Sequence, residues 1–113
     1  MNIVEYQQYV KQGANPIYDN KLAILGLIGE IGELADVVKK QHIYEDMSKF
    51  EAKYGMSVQE KIKDEAGDCL WQLMLVLCKY DLDVQDVINS NVEKLNSRHG
   101  GTGKTAKDGG GVR

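Results

Sequence analysis

Residues 21–40 read KLAILGLIGEIGELADVVKK, and this stretch decides the fold. At 100° per residue Ile24, Leu27, Ile28, Ile31, Leu34, Ala35 and Val38 gather on one broad stripe, the pattern of an amphipathic helix turning that face to a core. Asp19 and Asn20 stand where a helix cap belongs, so the helix is predicted from about Lys21 to Lys40. Glu30 and Glu33 run along one flank of the stripe, three residues and nearly one turn apart. Gly26, Gly29 and Gly32 each disfavour a helix by about 1 kcal/mol relative to alanine. They mark places where another backbone or a ligand comes close, or where packing alone demands a small residue.

Outward from this stretch the whole chain reads as helix. Only one proline occurs, Pro16, and strand-like alternation is absent, which points to an all-α fold in a single domain of 113 residues. Residues 2–12 suit a first helix ended by Gly13 to Pro16. Residues 41–57 are polar with intermittent anchors (Ile43, Tyr44, Met47, Phe50, Tyr54) and read as a long connection holding one or two helical turns. A further helix is predicted from about Val58 to Tyr80, with Ile62, Ala66, Cys69, Leu70 and Leu73 as its stripe and Glu65 and Asp68 on the flank. Its second half is apolar nearly all round, since Trp71, Met74, Leu75 and Cys78 face away from Leu73, Val76, Leu77 and Tyr80. In a domain this small such a helix finishes its burial against a second chain, so a homodimer or homotetramer is expected. Asp83 caps a last helix from about Val84 to Arg98, whose inward face of Val84, Val87, Ile88 and Leu95 also carries Asn91, Lys94 and Arg98. Residues 99–113 include six glycines and read as a flexible tail beyond a helical domain of residues 1–98.

Composition excludes several classes. The net charge is −3, with no lysine or arginine block, which argues against a nucleic-acid footprint. Cys69 and Cys78 are separated on one helix by roughly 13 Å of rise, too far to pair, and read as two buried thiols of a reducing cytoplasm. No signal-peptide pattern and no run of 18 apolar residues occurs, so no membrane partner is expected and a cytoplasmic location is.

The acids carry the chemistry. Glu30 and Glu33 on one helix and Glu65 and Asp68 on another, if they face each other, form a pocket of four carboxylates. Their mutual repulsion is relieved by a hard divalent cation. Solvated surface acids are the plain alternative. A di-iron carboxylate site needs Glu-x-x-His on two helices, and neither His42 nor His99 stands three residues after a glutamate. The all-oxygen set suits Mg²⁺, with Mn²⁺ as a substitute. Gly-Gly-Thr-Gly-Lys-Thr in the tail is no phosphate loop: Arg98 occupies the position of the pattern's first glycine, and no strand precedes it.

Three segments together resemble the MazG family of nucleotide pyrophosphohydrolases: Gly29-Glu30-Ile31-Gly32-Glu33-Leu34-Ala35-Asp36, Asp64-Glu65-Ala66-Gly67-Asp68, and Asn91 to Arg98. They follow that family's order of ExxE, then ExxD, then an Asn-x-x-Lys-x-x-x-Arg stretch, within residues 20–98. The 31 residues between Glu33 and Glu65 exceed the family's usual gap. The resemblance implies a four-helix, bundle-type all-α subunit, oligomeric, of the dimeric-dUTPase-like kind. It implies Mg²⁺-dependent hydrolysis of nucleoside triphosphates to monophosphate and pyrophosphate in nucleotide-pool control or housecleaning. Glu30, Glu33, Glu65 and Asp68 would hold metal, Glu30 or Glu33 would act as general base, and Asn91, Lys94 and Arg98 would bind the triphosphate. An all-α dUTPase, a phosphoribosyl-ATP pyrophosphohydrolase and a non-enzymatic helical interaction protein are the competing readings. For the base, Tyr6, Tyr18, Phe50, Tyr54 and Trp71 are candidate stacking partners. Trp71 points about 120° from Glu65, toward a pocket built by a partner subunit or into the oligomer core.

Overall fold

The computed structural model describes residues 1–44 and 46–98, and every regular element among them is an α-helix. In chain order these are α1 (Ile3–Gly13), α2 (Asn20–Ile43), α3 (Met47–Tyr54), α4 (Val58–Lys79) and α5 (Val84–Arg98). Each start has a side-chain cap for the free N–H groups of the first turn. Asn2 and Glu5 form a reciprocal capping box, Asp19 accepts from the Leu22 N–H at 2.9 Å, and Asp83 accepts from the Asp86 N–H at 3.1 Å. The segment expected to be a long connection holds α3. It is started by Asp46 and ended by Gly55 at φ 72°, a left-handed conformation that glycine adopts without a Cβ clash. The glycine-rich tail lies outside the described residues.

α2 and α4 form an antiparallel hairpin, because Gly26 meets Gln72 while Glu30 meets Glu65 and Asp68. The α2 face turned to α4 carries Ala23, Gly26, Leu27, Glu30, Leu34 and Val37. Ala23 and Val37 are buried on it, and a Cβ at Gly26 would lie 2.7 Å from the Gln72 amide oxygen. That face is rotated roughly a quarter turn from the stripe expected to be the core. The stripe itself is largely exposed: Ile24, Ile28, Ile31 and Val38 lie open, Ile28 at 60%. Leu70 and Leu73 of α4 are also exposed. Both sets sit about 100° past the contact face in the direction of chain numbering, and in an antiparallel pair those directions meet on one side of the hairpin. The result is one continuous apolar face that no part of the described chain covers.

The other side of α4 is closed by α1. Val10, Ala23, Met74, Leu75, Leu77 and Val84 make the buried core, with Tyr6, Trp71 and Val87 packed against it. Gln7 pins α1 to the α4–α5 turn, donating from Nε2 to the Leu82 carbonyl at 2.7 Å and accepting from the Val84 N–H at 2.8 Å. Gln7→Ala removes both bonds and leaves a buried N–H without a partner, a loss of about 1–3 kcal/mol. In thermal denaturation followed by circular dichroism its midpoint is expected to fall by roughly 4–8 °C for each kcal/mol lost.

Only the first turn of α5 reaches the core. Val84 is buried, whereas Asn91, Lys94 and Arg98 are exposed, which corrects the inward placement expected for them. The radius of gyration, 17.4 Å, exceeds the roughly 13 Å of a compact chain of about this length. A thin molecule, 27 Å in its shortest dimension, keeps much apolar surface in solvent.

Candidate active site

Three of the four expected acids converge. Carboxylate oxygens of Glu30, Glu65 and Asp68 all lie within 4.8 Å of one another across the α2–α4 hairpin. Their backbone positions explain this. Glu30 sits in the middle of the α2 contact face, Glu65 faces it from α4, and Asp68 is one turn further along α4. Glu65 is the most buried, at 8% exposure. Burial, then the charges of Asp68, Glu65 and Glu33, push the Glu30 carboxyl above the usual carboxylate range. Burial, then the charges of Glu30, Asp68 and Glu65, push the Cys69 thiol up. Cys69 and Cys78 are free and half-buried.

Glu33 stands outside this cluster. It lines a small opening of 140 Å³ between α2, α3 and α4, with Asp36, Lys40, Tyr54, Lys61 and Glu65. Lys61 reaches Glu65 with its Nζ at 3.1 Å, and this contact raises the lysine's pKa. The sequence reading passed over Lys61, although its place four residues before Glu65 is the spacing of a helical ion pair. On the far wall Phe50 is buried and packs on Tyr54 with ring centroids 4.7 Å apart, while Tyr44 meets both rings edge-on. Those aromatic candidates serve as the core that seats α3.

Asn91, Lys94 and Arg98 are not brought to the acids. α5 packs along α1, and Asn91 and Lys94 line a groove beside the α4–α5 turn with Asp81, Asp83 and Asp86. Trp71 lies within its own chain's acidic neighbourhood. It is half-buried on the α1 side of α4 and shares a cleft with Asp68, Tyr6 and Tyr9.

The carboxylate trio is an all-oxygen donor set of the kind hard divalent cations prefer, and its crowding is the arrangement such an ion relieves. The family model for the MazG nucleotide pyrophosphohydrolase domain matches residues 19–102. The chain belongs to the MazG nucleotide pyrophosphohydrolase family. The match takes in α2 to α5, including all four acids and the α5 stretch, and leaves α1 outside. Among curated proteins, the Gene 37 protein of Mycobacterium phage L5 is 36% identical over 77 residues, 66% of this chain. The matched part spans 60% of that relative's length. No solved structure matches. As a MazG domain the chain has the expected all-α architecture, and its longer interval between Glu33 and Glu65 is taken up by the end of α2, by α3 and by the first turns of α4. No helix among the described residues is long and apolar enough to cross a membrane.

Proposed function

We propose that this MazG domain is a Mg²⁺-dependent nucleoside triphosphate pyrophosphohydrolase, cleaving (d)NTP to (d)NMP and pyrophosphate in cytoplasmic nucleotide-pool control. The convergence of Glu30, Glu65 and Asp68 within 4.8 Å, in a chain of this family, carries the reading. These residues would hold the metal, with Mn²⁺ as a substitute. The bound ion would neutralise phosphate charge and polarise the phosphoryl group. Glu33, next to the trio but free of it, would accept a proton from the attacking water. Lys61 balances the charge of Glu65, with its Nζ 3.1 Å from the carboxylate.

The triphosphate also needs cations, and Lys94 and Arg98 of α5 would supply them from a second copy of the chain, with the Asn91 amide orienting a phosphate. The open apolar face of the α2–α4 hairpin and the extended shape support a homodimer, or a pair of dimers, in which one chain's α5 reaches its partner's acids. The net charge of −3 gives no reason to add nucleic acid to the partners.

Purified protein is expected to release pyrophosphate from canonical, deoxy or modified nucleoside triphosphates with Mg²⁺ and to release none with a chelator. The same panel separates this reading from a dUTPase or a phosphoribosyl-ATP pyrophosphohydrolase by substrate. Silence across the panel would leave a non-enzymatic interaction domain.

A further inference from the structure

Beside the acids the chain has a second feature that metal and phosphate chemistry does not use. The cleft between α1 and the N-terminal half of α4 is open to solvent along its length and measures about 620 Å³, within the size range of small-molecule sites. Its walls include Tyr6, Tyr9, Lys63, Asp68 and Trp71. Tyr6 and Tyr9 stack with ring centroids 6.2 Å apart, one turn apart on α1. Tyr9 is 57% exposed, so its ring is no part of the core. Tyr9 and Trp71 also line the opening that continues the cleft toward Gly13. Phe50 and Tyr54, two of the other stacking candidates, offer nothing equivalent. Phe50 is 1% exposed beside an opening of only 140 Å³.

We propose that the α1–α4 cleft binds the base of the substrate nucleotide, stacked on Tyr9 and Trp71, with the phosphates leading past Asp68 onto the acidic trio. This rests on the pyrophosphohydrolase reading for its triphosphate end. The base end stands on separate observations: the exposed Tyr9 ring beside a half-buried Trp71, a sufficient volume and a wall shared with Asp68. α1 lies outside the family match, so base contacts supplied by Tyr6 and Tyr9 belong to this chain's own N-terminal helix. Stacking accepts any base because every base presents a π face, and the larger purine ring overlaps more of both side chains. Purine nucleotides are therefore preferred over pyrimidine nucleotides.

Trp71 is the chain's one tryptophan, which makes its fluorescence a direct report on the cleft. AMP is expected to quench that emission in the presence of a chelator, CMP more weakly, and inorganic tripolyphosphate not at all. Tyr9→Ala should weaken AMP binding about 5- to 150-fold, the range for loss of one base–aromatic stack, and Tyr9→Phe should retain it. It should also lower kcat/KM for ATP relative to that for tripolyphosphate. Unchanged AMP affinity in Tyr9→Ala, or emission unaffected by millimolar AMP, overturns the base site even where ATP is hydrolysed. Quenching that depends on Tyr9 in a protein that hydrolyses no nucleotide supports the base site and overturns the pyrophosphohydrolase reading instead.

Discussion

Glu65→Ala is expected to abolish nucleotide hydrolysis while the chain stays helical. Glu65 is the most buried member of the trio and the one that faces both Glu30 and Lys61. On the proposed reading its removal takes away a direct metal ligand. Loss of a residue that merely supports a ligand already reduces metal affinity or activity 10- to 100-fold, so the loss here should be at least about 100-fold. The fold tolerates the change for a specific reason: removing one carboxylate from a like-charged cluster relieves repulsion on the remaining two. Lys61 keeps solvent access, with 27% of its side chain exposed, and is not stranded as a buried charge. Calorimetric titration with Mn²⁺, pyrophosphate release and circular dichroism together check the point. Full activity in Glu65→Ala removes the trio from the mechanism.

The direction of the Glu30 shift adds a pH dependence. A carboxyl whose pKa is higher in the folded than in the unfolded chain binds its proton more readily when folded. Its unfavourable contribution is absent at low pH and sets in as pH rises through the folded value. In chelator, Glu30→Gln should therefore melt higher than the parent protein above the carboxylate range, and this difference should shrink as pH falls. Metal affinity runs the other way, since the ligands must lose their protons first. Convergence of the two melting curves at high pH would contradict the crowding of charge around Glu30.

Much of this was legible in the residues, and what was not shares one cause. Helix starts at Asp19 and Asp83 follow from local capping chemistry, and the ExxE and ExxD pairs state their own spacing. Periodicity assigns a residue to a face of its helix but is silent on what covers that face. Ile28 and Ile31 therefore read as core, although within one chain the core side of α2 carries Ala23, Glu30 and Val37. Asn91, Lys94 and Arg98 read as inward because they share a stripe with Val84, yet α5 runs past the core after its first turn. Glu33 falls out of the trio because the α2 contact face is centred near Glu30, which turns Glu33 toward Lys61 and α3. Tyr9 had a signal, its place one turn after Tyr6, but a tyrosine pair acquires meaning only once α4 sets Trp71 and Asp68 opposite.

The separation of α5 from the acids leads to the second large expected effect. Two inactive variants, Glu65→Ala and the double variant Lys94→Ala/Arg98→Ala, should restore activity to each other when mixed. Each Glu65→Ala chain retains a sound α5, and each double-variant chain retains a sound carboxylate trio. In a twofold dimer with swapped α5 contributions, a heterodimer has one site with both defects and one with neither. Random exchange makes half the dimers mixed, so about a quarter of the parent activity should return. On the proposed reading the double variant alone would lose two charged contacts to phosphate at about 1.5–3 kcal/mol each, which leaves a low background against which recovery is plain. Light scattering should show a dimer or tetramer before mixing, and differently tagged chains should co-purify after it. Heterodimers that form and stay inactive would place the phosphate-binding cations within the same chain as the acids, and a monomer in solution would leave the apolar face of Ile28, Ile31, Leu70 and Leu73 to a different partner.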